Sequence, residues 1–150
     1  MKPTDMLKRQ HREVESLFKK IEKTGEGTER RRLLDQIAEK LEMHTRLEEE
    51  IFYPALREVE SRKAEEMVNE AYEEHHVVKL VLKELPQVDV EDERFDAKMT
   101  VLSELVQHHV EEEEKEMFKL AQKLDKERLA ELAEEMQAMA GEAPEGRRAA

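Results

Sequence analysis

The chain has 150 residues, with 26 basic against 38 acidic side chains and a formal net charge of −12. That balance excludes nonspecific binding to nucleic acid, whose phosphates need a basic surface, and adhesion to an anionic membrane. Cysteine is absent, which removes disulfides, thiolate ligands, iron–sulfur clusters and cysteine nucleophiles together.

Aromatic residues make up 4% of the chain, and glycine and proline number four each. Glu, Lys, Leu, Arg, Met and Ala dominate, and these favour helix over strand. Hydrophobic residues, at 38%, recur with a helical period. The expected fold class is therefore all-α, in a single domain. No apolar run is long enough to span a bilayer, and the start, Met1-Lys2-Pro3-Thr4-Asp5, lacks the apolar core of a signal peptide. The cytoplasm is the expected compartment.

The first helix is expected from about Thr4, as N-cap, to Lys23. Thr24-Gly25-Glu26-Gly27-Thr28 reads as a loop whose last residue caps the next helix. A second helix covers roughly Glu29 to Glu60, with Pro54 bending its last turns. Ser61 caps a third that ends near Leu85. Residues 86–90 form a short connection, and a fourth helix runs from about Asp92 to Lys123. Asp125 caps a shorter fifth helix ending near Ala140. Short connections make neighbours antiparallel, so the chain predicts an antiparallel up-down four-helix bundle over 1–140 with a short C-terminal fifth helix. A flexible C-terminal tail is expected over 141–150.

The chain also echoes itself. Residues 44–53 (HTRLEEEIFY) align without gaps to residues 109–118 (HVEEEEKEMF), and both copies carry a Glu four residues after the His.

Helical spacing decides where the histidines point. His11 falls on the stripe of Leu7, Val14 and Phe18. Ile37, Leu41, His44, Glu48 and Ile51 share a face of the second helix. His75 lies in line with Val78, Leu82 and Leu85, and His109 and Glu113 with Leu102, Leu105 and Val106. Each bundle helix thus offers one core-facing imidazole, and two add a carboxylate one turn later.

Burying these groups is costly unless something satisfies them. Two divalent cations would do so, held by His11, His44, Glu48, His75, His109 and Glu113. Imidazole and carboxylate suit Fe, Mn or Zn, and a glutamate can bridge two ions. Six protein ligands leave positions open for water, an oxo bridge or a diatomic molecule. His76 sits on a more polar stripe with Tyr72, Lys79 and Lys83. A register in which His108 and Glu112 replace His109 and Glu113 remains as an alternative, although it turns the ligands away from the apolar stripe. Met43, Met67, Met99 and Met117 read as core filler. Tyr53 and Tyr72 are candidates to line the pocket.

On these motifs the chain resembles the hemerythrin-like HHE cation-binding family. The likeness covers about residues 4 to 122, through HTRLEEEIFYP, EEHHVVKLVLKEL and HHVEEEEKEMF. It implies a non-haem di-iron site, oxo- or hydroxo- and carboxylate-bridged, on the same six positions, with Mn or Zn as other occupants. The oxygen-carrying hemerythrins have a further His four residues after the helix-three His, where this chain has Lys79, and a His-x4-Asp spacing where it has His109-x3-Glu113. The resemblance therefore points away from reversible O2 transport. It implies a protein that binds O2 or NO, or senses iron or oxygen, through a small diatomic ligand or peroxide. The competing expectation is a di-iron enzyme with peroxidase-, catalase- or ferroxidase-like activity.

Overall fold

The computed structural model describes residues 1–141, and among these every regular element is helical. α1 spans Pro3–Lys23 and α2 Gly27–Leu47. Helical backbone continues from α2 through a π-helical turn, Glu48–Phe52, into the short α3, Tyr53–Arg57. α4 spans Arg62–Glu84 and runs into a 3₁₀ turn, Leu85–Gln87. α5 spans Glu93–Glu112, and a second π turn, Glu113–Met117, leads into α6, Phe118–Ala121. α7 spans Lys126–Met139. The tail expected over 141–150 lies, apart from Gly141, outside the described residues.

Capping chemistry sets most of the helix starts. Ser61 accepts from Ala64 N at 3.0 Å, Asp92 from Arg94 N at 2.9 Å and Asp125 from Arg128 N at 2.8 Å, satisfying backbone donors left over in a first turn. Two starts differ from expectation. Glu26, not Thr28, caps α2, accepting from Thr28 N at 3.0 Å and Glu29 N at 2.7 Å. At the amino end Lys2 stands at the cap without a side-chain bond and Pro3 takes the first helical position, where its missing N–H costs nothing.

The π turns are the larger departure. Tyr53 N–H bonds Glu48 O, and Phe118 N–H bonds Glu113 O, five residues back instead of four. Each turn takes in one extra residue and rotates the helix beyond it. Ile51, expected inward, is only partly buried, while Phe52 and Tyr53 are fully enclosed. Pro54 lies just beyond the first π turn, but the second has no proline near it, so proline is not the common cause. What the two share is their first residue, a buried glutamate four positions after a histidine.

Two apolar clusters flank the middle of the molecule. One gathers Met6, Leu7, Phe52, Val68, Phe118 and Met136; the other gathers Val14, Ile37, Leu41, Val78, Phe95 and Leu102. Along α1 and α4 the chain meets the first cluster, then a buried histidine, then the second; along α2 and α5 the order reverses. α7 closes the first cluster with Met136 and buries Leu132, packing against α1 and the first π turn. Arg128 fixes its start with two 2.9 Å bonds to the carboxylate of Glu58, the paired geometry that guanidinium favours. Among the described residues no helix is long and apolar enough to cross a membrane.

Candidate metal centre

Between the apolar clusters, α1, α2, α4 and α5 each turn one imidazole inward. His11, His44, His75 and His109 are 3–7% exposed, and Glu48 and Glu113 are wholly enclosed. The six residues singled out from helical spacing converge on one point. His11 Nε2 lies 3.1 Å from His44 Nε2, and His75 Nε2 lies 3.2 Å from His109 Nε2. The donor atoms form two groups, one of His11, His44, Glu48 and Glu113, the other of Glu48, His75 and His109, with Glu48 common to both. His76 is exposed, and His108 and Glu112 face outward. His109 and Glu113, not His108 and Glu112, thus take part in the buried cluster.

The outer nitrogens explain why the inner ones point as they do. Each Nδ1 meets an oxygen acceptor: Glu114 for His11 at 2.6 Å, Gln10 for His44 at 2.6 Å, Glu49 for His75 at 2.7 Å and Glu74 for His109 at 2.7 Å. An oxygen acceptor there draws the ring proton to Nδ1, leaving the Nε2 lone pair aimed at the centre. Two of these partners, Glu49 and Glu114, directly follow a buried glutamate. The other two, Gln10 and Glu74, directly precede an inward histidine. The halves of the site thus repeat, α1 with α2 against α4 with α5.

Inside, acceptors face acceptors. Glu48 Oε1, Glu48 Oε2 and Glu113 Oε1 accept no hydrogen bond. Glu48 Oε1 nevertheless lies 2.9 Å from His75 Nε2, Glu48 Oε2 3.1 Å from His44 Nε2, and Glu113 Oε1 3.1 Å from His11 Nε2. Orphaned carboxylate oxygens beside imidazole lone pairs in a dry interior are unfavourable without a shared cation. The donor set fits divalent metal on that ground: neutral nitrogen and anionic oxygen, close together, with their outward atoms already engaged.

Titration behaviour says the same. Burial alone would lower the imidazole pKa values. The neighbouring carboxylates outweigh it, so His11 and His75 are raised and His109 is raised well above its usual value. Burial pushes Glu48 up, but His44 beside it, with Glu113 and His109, holds it well below the carboxylate range. The centre therefore favours added positive charge, whether protons or metal.

Two residues that the sequence named, Tyr53 as a pocket-lining candidate and Lys79 in place of a further imidazole, take up contacts that helical spacing did not specify. Tyr53, turned inward by the π turn, donates its hydroxyl to Glu113 Oε2 at 2.7 Å and lies 3.2 and 3.1 Å from His75 and His109 Nε2. Burial first, and then the charges of Glu113 and Glu48, raise its pKa well above the usual value, so it stays a proton donor. Lys79, where an oxygen carrier would have a further imidazole, instead donates to Glu49 Oε2 at 2.8 Å and supports the acceptor of His75. A cavity of about 30 Å³ adjoins the cluster, walled by the four histidines with Val14, Leu41, Val78 and Val106 among its apolar lining.

Residues 2–121 match the family model of the hemerythrin HHE cation binding domain, and the chain belongs to that family. Among solved structures it is similar to a hemerythrin HHE cation binding domain-containing protein from Mycobacterium kansasii, an Rv2633c homologue. The TM-score is 0.81 at 25% identity, over 94% of this chain and 86% of that one. Among curated proteins it is similar to a DNA nickase of Nostoc sp. (strain PCC 7120), 26% identical over 114 residues. That match takes in 76% of this chain but 32% of the relative, so the chain spans about a third of that protein's length.

Proposed function

We propose that this chain binds two iron ions through His11, His44, Glu48, His75, His109 and Glu113, in an antiparallel four-helix bundle, and that the pair takes up a small ligand such as O2, NO or peroxide. The observation that carries the reading is the convergence of four Nε2 atoms on carboxylate oxygens that have no other partner. Glu48, common to both donor groups, would be shared between the two ions, and Glu113, 3.1 Å from His11 Nε2 and 3.3 Å from His109 Nε2, would be held within reach of both. The reversing order of the two apolar clusters along successive helices supports the antiparallel arrangement. When bound, the iron pair supplies open coordination positions and one-electron redox chemistry.

The chain's own residues define what reaches the centre. A cavity of about 30 Å³ holds roughly one water-sized molecule, which selects diatomic ligands and peroxide over larger substrates. Its apolar walls limit water. The four Nδ1 acceptors hold the rings in place. Net charge of −12 opposes contact with nucleic-acid phosphate, so the activity named for the cyanobacterial relative is not carried over.

Tyr53 favours a second reading, peroxide turnover. Its hydroxyl, bonded to Glu113 and 3.2 and 3.1 Å from His75 and His109 Nε2, is a buried proton source at the centre, and peroxide reduction consumes protons. The two readings separate in one comparison. The iron-loaded, reduced protein is mixed with O2, NO or H2O2 while its absorption and the residual peroxide are followed. Ligand binding predicts spectral change at stoichiometric ligand without continued peroxide loss. Turnover, as disproportionation of two H2O2 to O2 and two H2O in which one peroxide supplies the electrons for the other, predicts continued loss that slows in Tyr53→Phe. No response to any of the three ligands contradicts both.

A further inference from the structure

The buried centre does not account for every ligating side chain. On the outer face of α5, His108 and Glu112 stand one turn apart, and Glu74 of α4 reaches across to them. His108 Nε2 lies 3.3 Å from Glu112 Oε2 and 3.7 Å from Glu74 Oε2, and the donor atoms of the three residues lie within 4.8 Å of one another. A tetrahedral ion with bonds of about 2.0–2.2 Å separates its donors by about 3.4 Å. The three atoms therefore stand close to ligating positions before any ion arrives.

Glu74 is held from behind. Its Oε1 accepts from His109 Nδ1 at 2.7 Å, which leaves Oε2 aimed at His108. His108 is 70% exposed, against 24% for Glu74 and 29% for Glu112, so the cluster is open to solvent. The charge of Glu70 adds to the negative potential at Glu112.

The internal repeat supplies a comparison within the same molecule. The positions matching Glu74, His108 and Glu112 in the other half are Gln10, Met43 and Leu47. Gln10 performs the same inner task as Glu74, accepting from an imidazole Nδ1, yet nothing there offers a second anionic oxygen, an imidazole or a further carboxylate. The cluster is thus not a by-product of the helix pairing that builds the buried centre. It occupies three places where the two halves differ.

We infer that Glu74, His108 and Glu112 form a second, solvent-accessible site for a divalent transition-metal ion, distinct from the buried centre and joined to it through Glu74. One imidazole with two carboxylates selects ions such as Zn²⁺ or Fe²⁺ over Mg²⁺ and Ca²⁺, which prefer all-oxygen shells. With three protein ligands and an exposed fourth position, the site exchanges its ion more readily than the enclosed one.

The test is calorimetric titration of the metal-free protein with Zn²⁺ alone, for wild type, His108→Ala and Glu112→Gln. One equivalent, weaker than the buried ones, is expected in wild type. Its affinity falls at least ~10-fold in each variant, the scale on which even the outer partners of a metal act, and millimolar Mg²⁺ does not displace it. Superimposable wild-type and His108→Ala isotherms would overturn the inference, as would displacement by Mg²⁺. His44→Ala acts on the buried centre and must leave the His108-dependent equivalent in place, so failure of either site registers separately.

Discussion

Tyr53 and Phe118 hold the same register in the two halves of the molecule and do different things there. Each is the first residue after a π turn. Tyr53 donates to Glu113 Oε2 at 2.7 Å, whereas the Phe118 ring stacks parallel to His11 with centroids 6.2 Å apart. The halves match in their inward imidazoles and glutamates but not in their proton inventory: one side has a hydroxyl, the other a hydrocarbon face.

Replacing that hydroxyl is informative because the repeat shows that a phenyl ring fits. Tyr53→Phe should leave Glu113 Oε2 without its donor and destabilise the metal-free protein by about 1–3 kcal/mol in urea unfolding. Metal stoichiometry should not change, since no proposed ligand is lost. An unaltered urea midpoint would mean the hydrogen bond contributes nothing.

The outer acceptors should govern affinity without being ligands. Glu114 accepts from His11 Nδ1 at 2.6 Å and from Arg12 at 2.8 Å. Glu114→Ala frees the His11 ring and should weaken metal binding by roughly 10–100-fold in competition with a chromophoric chelator. Glu111→Ala, an exposed change on the adjoining helix α5, should leave affinity unaltered. Equal affinity in both variants would deny the orienting role.

The metal-free protein should have its own pH signature. His11, His75 and His109 are raised in the folded state. Their protonation stabilises the fold fully below about pH 6.5, and that stability is lost as pH rises through the raised values. Glu48 is lowered, so its contribution is present above about pH 4.3 and lost as pH falls through the lowered value. Melting temperature without metal should therefore peak in that window and fall from pH 6 to pH 9. Bound metal requires unprotonated imidazole, so the gain in melting temperature on metal addition should widen over the same range. A metal-free melting temperature that climbs towards pH 9 would refute the assignment.

α7 should stabilise the fold without forming the site. Leu132 is the fully buried leucine of its inner face, and Leu132→Ala should cost about 2–5 kcal/mol in chemical unfolding, with metal stoichiometry retained. A loss of metal in the folded variant would tie α7 to the centre more directly than its packing does.

Helical period set the limit on how much of this was legible in the sequence. Period alone placed His11, His44, His75 and His109 on apolar stripes, and the His-x3-Glu spacing brought Glu48 and Glu113 to the same face. It failed where backbone departs from 3.6 residues per turn. The π turns swing Tyr53 inward and Ile51 partly out, and no residue type announces them. It failed also for Gln10, Glu49, Glu74 and Glu114, because polar residues beside a core stripe look like solvated surface until a neighbouring helix brings an imidazole to them. The repeat held a usable signal: Glu49 and Glu114 occupy equivalent positions directly after the buried glutamates.

Whether six buried side chains hold a pair of iron ions is decided by elemental analysis. The samples are wild type and His44→Ala, both purified from iron-supplemented cells. About two irons per chain are expected in wild type, with near-ultraviolet charge-transfer absorption that is lost in the variant. A wild-type chain that stays metal-free after anaerobic reconstitution with ferrous iron would contradict the assignment.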